Sequence, residues 1–299
     1  MSSDSHKAGF VSIVGKPNAG KSTLMNTLIG ERLSIITSKA QTTRHRIKGI
    51  ISGEDFQIIY SDTPGIIQPK YELQENMMRF VQSSLIDADL ILWIVELGEK
   101  MDSEIKLIRN ISQAEIPVVL IINKIDLSKG TQLNDKLAYW REQVQDTSVK
   151  EIIPVSALHK TNIDQVMTVI LEQLPLHPAY FPKDSLTDKP ERFFAAEIIR
   201  EKILENYKKE VPYSSEVVIS EFHEEADIIR IRAEIYVERK SQKGILIGKQ
   251  GAALKKVGTE ARIEMEQFFQ KKVYLEQFVK VEPDWRKKQG KLKRFGYSN

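Results

Sequence analysis

The chain contains an eight-residue stretch whose glycines, lysine and serine are spaced to hold a phosphate group. It reads GKPNAGKS at residues 15–22 and directly follows an apolar run, FVSIV. Glycines at both ends let backbone N–H groups curl around a phosphate, while Lys21 can reach the outer phosphates and Ser22 can ligate Mg²⁺. We predict a nucleotide-binding loop made of Gly15, Lys16, Pro17, Asn18, Ala19, Gly20, Lys21, Ser22 and Thr23.

An acid at the end of a second strand-like run suits the same site. The sequence DTPG at residues 62–65 follows FQIIYS. Asp62 can hold Mg²⁺ through water, and the Gly65 N–H can contact a γ-phosphate, although an ordinary turn explains these residues equally well in isolation. The nucleotide contacts expected here come from Asp62, Thr63, Pro64, Gly65 and Ile66.

Two further motifs predict a preference for guanine. Asn123, Lys124 and Asp126 lie in NKID, after the run PVVLII, and SAL at residues 156–158 follows IIPV. A carboxylate at Asp126 can accept both N1–H and N2–H₂ of guanine, whereas adenine would leave it unpaired at a cost of several kcal/mol. We expect Asn123 to tie this loop to the phosphate loop and Lys124 to lie along the base. The backbone of Ser156, Ala157 and Leu158 can donate to guanine O6.

The order of these motifs makes each of them more informative. All four follow strand-like runs, and ligands bind at the carboxyl ends of strands in open α/β sheets. If these were ordinary turns, four of them would each have to carry a nucleotide-binding motif by chance at the end of a strand. We therefore interpret the four motifs as one guanine-nucleotide site.

Between the first two motifs, the polar residues 35–46 can bring a threonine hydroxyl onto Mg²⁺ when a γ-phosphate is present. Thr43 is the predicted ligand and Thr42 the alternative, while His45 is interpreted as a solvated loop residue. The predicted metal ligands are therefore Ser22, Thr43 and, through water, Asp62. Residues expected to act in catalysis are Lys21, Thr43, Asp62 and Gly65.

Hydrolysis is predicted to be slow, because Ile66 occupies the place where many GTPases carry a water-orienting glutamine. Gln68 is two residues further along the chain. Backbone groups, a cation or a partner must then supply the positioning. One candidate is K⁺ held near Asn18; the equally weighted alternative is that Asn18 only shapes the loop.

The stretch GILIGKQGAALKKVG at residues 244–258 predicts contact with a nucleic-acid backbone. Two glycines without Cβ atoms allow close approach, and the following helix N-terminus offers free N–H groups to a phosphate. The basic tail adds aromatic residues that can stack on bases. The RNA-binding residues expected from these two stretches are Gly248, Lys249, Gln250, Gly251, Lys255, Lys256, Trp285, Arg286, Lys287 and Lys288.

Positioning these residues requires two kinds of domain. The first half alternates short β-branched runs with amphipathic stretches, including one at residues 103–113, and this is typical of an α/β domain with a mostly parallel sheet and helices on both faces. A proline-rich break follows, and then the order changes to α-β-β-α-α-β, a small α+β domain. We predict that the α/β domain comprises residues 1–174 and the α+β domain residues 191–282. A linker at 175–190 joins them, and a basic tail follows at 283–299.

The composition excludes several classes of protein. The 299 residues contain no cysteine, which excludes disulfides and thiolate metal sites and favours a cytoplasmic location. The longest apolar runs are much shorter than the ~20 residues that span a bilayer. The net charge is only +3, so a nucleic-acid site must be local.

The motifs GKPNAGKST, QTTRHRI, DTPG, NKID, SAL and ILIGKQG and the basic tail together resemble the Era family of bacterial Ras-like GTPases, over essentially the whole chain. The resemblance implies a P-loop GTPase domain followed by a type II KH domain. It further implies binding of GTP or GDP with Mg²⁺, slow GTP hydrolysis, and a monomer that binds 16S ribosomal RNA near its 3′ end and assists 30S subunit assembly. Peripheral association with the inner face of the cell membrane is also implied, and rests on the resemblance alone.

Two alternatives stay open from the residues themselves. The chain can be an RNA-binding module that holds GTP structurally without turnover, which the missing glutamine favours. It can also be a membrane-surface GTPase whose basic tail binds anionic lipid.

Overall fold

The computed structural model describes residues 5–39, 41–99, 116–145 and 147–297. The amphipathic stretch at residues 103–113 lies outside the described residues. Two compact units are formed. The N-terminal unit contains Met1–Ser34, Thr43–Gln68 and Met77–Asp188, and the C-terminal unit contains Ile35–Thr42, Pro69–Asn76 and Lys189–Asn299.

A six-stranded sheet organises the N-terminal unit, as the alternating pattern predicts. Its strands are β1 (Lys7–Val14), β2 (Ile47–Ser52), β3 (Phe56–Asp62), β4 (Leu90–Glu96), β5 (Val118–Asn123) and β6 (Val149–Val155). Within the described residues of this part of the chain, the helices are α1 (Lys21–Ile29), α2 (Glu72–Ile86), α3 (Gln132–Gln143) and α4 (Ile163–Gln173).

The strand order is β2-β3-β1-β4-β5-β6, and every neighbouring pair is parallel except β2 with β3. All six residues of β5 are buried, as expected for a strand covered on both faces. The sequence pattern misses the antiparallel edge strand β2, because Lys48 and Gly49 interrupt its apolar run. The carboxyl ends of the parallel strands meet at one edge. Two of the four motifs, GKPNAGKS and SAL, directly follow a strand there, whereas DTPG and NKID each start with the last residue of a strand, β3 and β5 respectively.

The proline-rich connection is a strap on the N-terminal unit. The Ala8 N–H donates to the Pro175 carbonyl at 3.2 Å, and the Ile50 N–H donates to the Leu186 carbonyl at 2.8 Å. The buried amide of Gln57 accepts from the N–H groups of Tyr180 and Phe181 at 2.7 and 2.9 Å. These backbone bonds fix the connection along its length.

The C-terminal unit follows the predicted α-β-β-α-α-β order. Its elements are α5 (Glu191–Asn206), β7 (Glu216–Glu224), β8 (Ile228–Val237), α6 (Lys240–Ile247), α7 (Ala252–Phe269), β9 (Lys272–Val281) and α8 (Gln289–Arg294). Strand β8 is central, antiparallel to β7 and parallel to β9. Alternate residues of β8, including Ile229, Ile231 and Ile235, are buried in a core with residues of α5 and α7. No helix in the described part of the chain has the length and apolarity needed to cross a membrane.

Candidate functional site

The phosphate-loop motif lies between β1 and α1, and its lysine is folded into the loop. Lys21 is buried, and its Nζ donates to the carbonyls of Gly15 at 3.1 Å and Lys16 at 2.7 Å. A Cβ on Gly15 would lie 2.2 Å from the Ile94 carbonyl oxygen, so no larger residue fits there. The loop therefore holds an ammonium group close to several backbone groups, as the motif predicts.

Three predicted metal ligands meet next to this loop. Ser22 Oγ donates to Asp62 Oδ2 at 2.7 Å and lies 2.9 Å from Thr43 Oγ1, which in turn donates to Asp62 Oδ2 at 3.3 Å. Asp62 is completely buried, and its Oδ1 has no hydrogen-bond partner among the described residues. Two hydroxyls and a buried carboxylate with a free oxygen fit a magnesium ion, which prefers oxygen ligands.

The pKa of the Asp62 carboxyl also favours a bound cation at this cluster. Burial raises the pKa of this carboxyl above its ordinary value, although the hydrogen bond from Ser22 and the charge of Lys21 oppose the rise. Burying a carboxylate is costly unless a positive charge compensates it. A bound cation would provide that compensation, so the residues present fit the predicted ion.

The structure separates the two candidate threonines. Thr43 Oγ1 lies in the cluster with Ser22 and Asp62, whereas Thr42 Oγ1 is 2.7 Å from Thr37 Oγ1 and donates to the Lys39 carbonyl at 2.7 Å. Thr43, and not Thr42, is therefore the threonine that lies with the other two predicted metal ligands. His45 is only partly exposed, with its ring centre 5.9 Å from that of Phe80, so the solvated position expected for it is not fully realised.

The DTPG loop packs directly against the phosphate loop. Thr63 Oγ1 donates to the Ile13 carbonyl at 2.9 Å, and the Ile66 N–H donates to the Gly15 carbonyl at 3.1 Å. The Ile66 side chain packs against an apolar cluster that contains Trp93, while Gln68 is exposed. The side chain that replaces the usual glutamine is thus partly buried against the core, and it cannot orient water because it has no polar atom.

Asn123 joins three of the predicted nucleotide loops. Its Nδ2 donates to the Ala19 carbonyl at 2.9 Å, and its Oδ1 accepts from the Ala157 N–H at 3.0 Å. The expected tie to the phosphate loop is confirmed, and the second bond extends it to SAL. Ser156 Oγ donates to Asp126 Oδ1 at 2.5 Å, which orients the carboxylate predicted to recognise guanine. Leu158 is exposed beside it.

Two acids near this edge were missed by the motif analysis. Glu96, the last residue of β4, pairs with Lys124, and Glu99 Oε1 lies 2.5 Å from Lys16 Nζ. The same rule that selected the other motifs could have found Glu96, because it too ends a parallel strand. Lys124 and Glu96 are each about a third exposed, so this pair contributes at most ~1 kcal/mol.

In the C-terminal unit, the GKQG loop joins α6 to α7 and is open to solvent. Gly251 has a φ of 80°, and a Cβ there would meet no atom within 4 Å. The side chains of Lys249, Gln250, Lys255 and Lys256 are exposed. This open loop with nearby ammonium groups, directly before the N-terminus of α7, leaves room for the predicted nucleic-acid contact, which stays a prediction.

The tail differs from its expected role. Trp285 was expected to stack on RNA but is completely buried: its Nε1 donates to the Ser214 carbonyl at 2.9 Å, and its ring packs edge-on to Phe295. A ring enclosed in the core cannot stack on a base in this structure. Arg286 pairs with Glu238 and is only partly exposed.

Lys287 and Lys288 are exposed, as their predicted role requires. The aromatic residues of the tail thus stabilise the unit, and its lysines supply the accessible charge.

Two family models match the chain, and they correspond to its two sets of motifs. The model described as "50S ribosome-binding GTPase" matches residues 10–124, and the model described as "KH domain" matches residues 210–286. GTPase Era of Ruminiclostridium cellulolyticum is 44% identical over 295 residues, covering 98% of each chain. GTPase Era of Geobacter metallireducens is 43% identical over 301 residues, covering 100% of each.

Solved structures resemble the whole chain as well. One is a crystal structure of Era in complex with MgGDPNP and nucleotides 1506–1542 of 16S ribosomal RNA, with a TM-score of 0.93 and 40% identity over 98% of this chain and 100% of the other. A point variant of Era from Aquifex aeolicus bound to GDP·AlF4⁻ gives the same TM-score, identity and coverage of each chain.

Proposed function

Because the chain belongs to the Era family of GTPases, we propose that it is a slowly hydrolysing GTP switch that binds the 3′ region of 16S ribosomal RNA and assists assembly of the 30S subunit. The observation that carries the proposal is the cluster of Ser22, Thr43 and Asp62 beside Lys21. The RNA-binding part is supported by the open GKQG loop on the same chain.

The residues of the cluster have separate tasks in this mechanism. Mg²⁺, when bound with GTP, neutralises charge on the phosphates. Ser22 and Thr43 would hold the ion with their hydroxyl groups, and Asp62 would hold it with its carboxylate through water. Lys21 exchanges its two loop carbonyls for phosphate oxygens, and the Gly65 N–H contacts the γ-phosphate.

Selection of guanine is assigned to the Asn123–Asp126 loop. Asp126 accepts from two donors on the base, and Ser156 orients it through the 2.5 Å hydrogen bond. Asn123 makes no base contact in this scheme; it holds the phosphate loop and SAL in register with Asp126. Adenine is rejected because it leaves the carboxylate without a donor pair.

RNA binding is assigned to the GKQG loop, with help from exposed lysines of α7 and the tail. The glycines admit the sugar–phosphate backbone, and Lys249 follows it with a positive charge. Each phosphate contact adds to the salt sensitivity of binding, with a slope of about −0.7 per contact for single strands.

The test is binding of 16S 3′-end RNA with GDP, GTP and a non-hydrolysable GTP analogue, each at two salt concentrations. We expect salt-sensitive binding that is tighter with the analogue than with GDP. Lys249→Glu should weaken it, while Lys272→Glu, an equal charge reversal at an exposed lysine of β9, should have little effect. Equal affinity in all three nucleotide states would refute the switch, and equal effects of the two variants would refute the loop assignment.

A monovalent cation near Asn18 is a further part of the proposal. Asn18 is exposed in the phosphate loop and has a φ of 66°. We propose that its side chain contacts an ion beside the phosphates. GTP turnover should then be faster in K⁺ than in Na⁺, and Asn18→Ala should remove the difference. Equal turnover in the two salts would leave Asn18 with a role in loop shape only.

Association with the cell membrane stays a prediction that rests on the family resemblance. Exposed Lys287 and Lys288 would have to provide the attraction to anionic lipid. Sedimentation with phosphatidylglycerol vesicles, compared with the doubly substituted Lys287→Glu/Lys288→Glu protein, tests it. Failure of the unsubstituted protein to sediment would contradict it. The cytoplasmic location and the monomeric state also stay predictions.

A further inference from the structure

The GKQG loop has a backbone shape that its own residues do not all favour. Gly248 has a φ of 70° and a ψ of 180°, Gln250 has a φ of 52°, and Gly251 has a φ of 80°. Glycine adopts such angles readily, but the left-handed region is sterically disfavoured for Gln250. Strained backbone persists only where the surrounding structure holds it. The two helices that flank the loop, α6 and α7, must therefore be well fixed.

The beginning of α6 is held by Gln242, which is buried. Its side-chain Oε1 accepts from the N–H groups of Glu238 and Arg239, both at 3.0 Å. The helix has eight residues and is about 12 Å long, so these bonds lie at the end away from the loop. A different contact must fix the end that leads into Gly248.

That contact comes from Tyr207, the residue directly after α5. Its hydroxyl donates to the Leu246 carbonyl at 2.6 Å, and both residues are buried. Leu246 lies in the last turn of α6, where the carbonyls have no N–H partner within the helix. Burial raises the pKa of the Tyr207 phenol to about 12, so the hydroxyl keeps its proton and remains a donor at neutral pH.

Tyr207 is itself firmly placed. Its N–H donates to the Ile203 carbonyl at 3.1 Å, which continues the hydrogen bonding of α5 by one residue. Its side chain belongs to the buried cluster that also contains Leu246 of α6 and Val257 of α7. All of these residues lie in the C-terminal unit, so the contact is independent of the N-terminal unit.

We propose that Tyr207 is a positioning residue for RNA binding: its hydroxyl fixes the last turn of α6 and thereby holds the GKQG loop in the shape that admits a sugar–phosphate backbone. Only Ile247 separates Leu246 from Gly248, so a shift of the Leu246 carbonyl displaces the start of the loop. This inference rests on the proposed function, because it assumes that the loop contacts RNA. It adds a residue outside the loop and its two flanking helices to those that determine RNA affinity.

The test compares two substitutions that each remove one tyrosine hydroxyl from the same unit. Tyr207→Phe keeps the ring, so the core stays filled. Tyr236→Phe is the matched control, because Tyr236 is also buried and its hydroxyl donates to Glu234 and accepts from Arg294. Neighbouring side chains of a strand point to opposite faces. Tyr236 follows Ile235, which faces α5 and α7, so its hydroxyl lies on the other face of the sheet.

We expect Tyr207→Phe to weaken binding of 16S 3′-end RNA roughly 5- to 10-fold, the change that a loss of ~1–1.4 kcal/mol produces. The slope of affinity against salt concentration should stay the same, because the phosphate contacts themselves are kept. Tyr236→Phe should bind RNA within two-fold of the unsubstituted protein. Equal effects of the two substitutions on RNA affinity, or a changed salt slope in Tyr207→Phe, would overturn the inference.

A second measurement needs no RNA. Amide hydrogen exchange reports local opening, and the N–H groups of Gly248 and Gly251 donate to the carbonyls of Gly244 at 2.9 Å and Gly248 at 3.3 Å. Both amides should exchange roughly 5- to 10-fold faster in Tyr207→Phe, and at the unsubstituted rate in Tyr236→Phe. Unchanged exchange in Tyr207→Phe would overturn the inference.

The two measurements also separate this inference from the proposed function. If exchange in the loop responds to Tyr207→Phe while neither Tyr207→Phe nor Lys249→Glu alters RNA affinity, the loop does not bind RNA and the proposed function fails. If Lys249→Glu weakens RNA binding and Tyr207→Phe does not, the proposed function stands and the positioning role of Tyr207 is refuted.

Discussion

Asn123 offers the sharpest test of how the nucleotide loops are held together. It is almost completely buried and bridges the Ala19 carbonyl to the Ala157 N–H at 2.9 and 3.0 Å. Both partners are themselves buried, so water cannot replace the lost amide in Asn123→Ala. Each orphaned backbone group costs roughly 1–3 kcal/mol. The substitution therefore removes roughly 2–6 kcal/mol of the free energy that stabilises the arrangement of the nucleotide loops.

Only the part of this free energy that orders the nucleotide loops contributes to the free energy of GDP binding. If about half does, ~1–3 kcal/mol of binding free energy is lost and the Kd for GDP rises roughly 5- to 140-fold, because each 1.4 kcal/mol corresponds to ten-fold. The assay is equilibrium titration of fluorescent GDP, with thermal unfolding measured in parallel without nucleotide. The loss of GDP affinity should exceed what any change in the melting temperature predicts.

Gln57→Ala is the matched control. Gln57 is a buried amide of the same unit, and its hydrogen bonds hold the strap at Tyr180 and Phe181, not the nucleotide loops. It should lower the melting temperature and leave GDP affinity almost unchanged. If Asn123→Ala also destabilises the protein but binds GDP within three-fold of the unsubstituted chain, Asn123 is only a structural amide and the reasoning is refuted.

Three other predictions test single residues. Asp126→Asn should weaken GDP binding at least 100-fold and favour xanthosine diphosphate, because O2 of xanthine accepts a hydrogen bond from an amide. Competition binding between the two diphosphates measures the base preference. An unchanged preference would contradict the role assigned to Asp126. Asp62→Asn should raise the melting temperature of the nucleotide-free, magnesium-free protein at neutral pH. The pKa of Asp62 is raised by burial, so the unsubstituted protein loses stability as pH rises from the ordinary carboxyl pKa of about 4 through the raised value. The gain should shrink towards pH 4.5, and a constant gain would contradict this origin. Trp285→Ala should lower the free energy of unfolding by roughly 3–5 kcal/mol, as measured by chemical denaturation. Lys287→Ala should leave that free energy unchanged and weaken RNA binding, as measured by RNA titration. Equal unfolding free energies for the two variants would contradict the burial argument.

The nucleotide site was largely predictable because its chemistry is local. Residues 15–22 form a phosphate loop from their own backbone geometry, and NKID needs only the end of a buried strand. The bond from Asn123 to the phosphate loop is compatible with the same rule, since the parallel strands of one sheet bring their carboxyl ends to the same edge, although β4 lies between β1 and β5. The α-β-β-α-α-β order around GKQG was likewise predictable from periodicity and glycine placement.

The tail shows where composition is insufficient. DWRKKQGKLKRFGYSN has the charge and aromatic content of a nucleic-acid contact, yet Trp285, Phe295 and Tyr297 are buried. Amphipathic sequences of this kind suit either a partner or a core, and only packing against β7 and its neighbours decides between them. The Tyr297 hydroxyl, for example, donates to buried Glu216 at 2.6 Å.

The sequence by itself determined which nucleotide chemistry is present, because the motif residues act through backbone groups only a few positions apart. Tertiary structure alone decided that segment 35–42 is held by α5. Its contacts with Arg200 and Glu201 join residues more than 150 positions apart. Charged residues on a helix are ordinarily solvated, so no local pattern distinguishes Arg200 from an exposed arginine. Whether such an arginine is buried or exposed is a property of the folded unit.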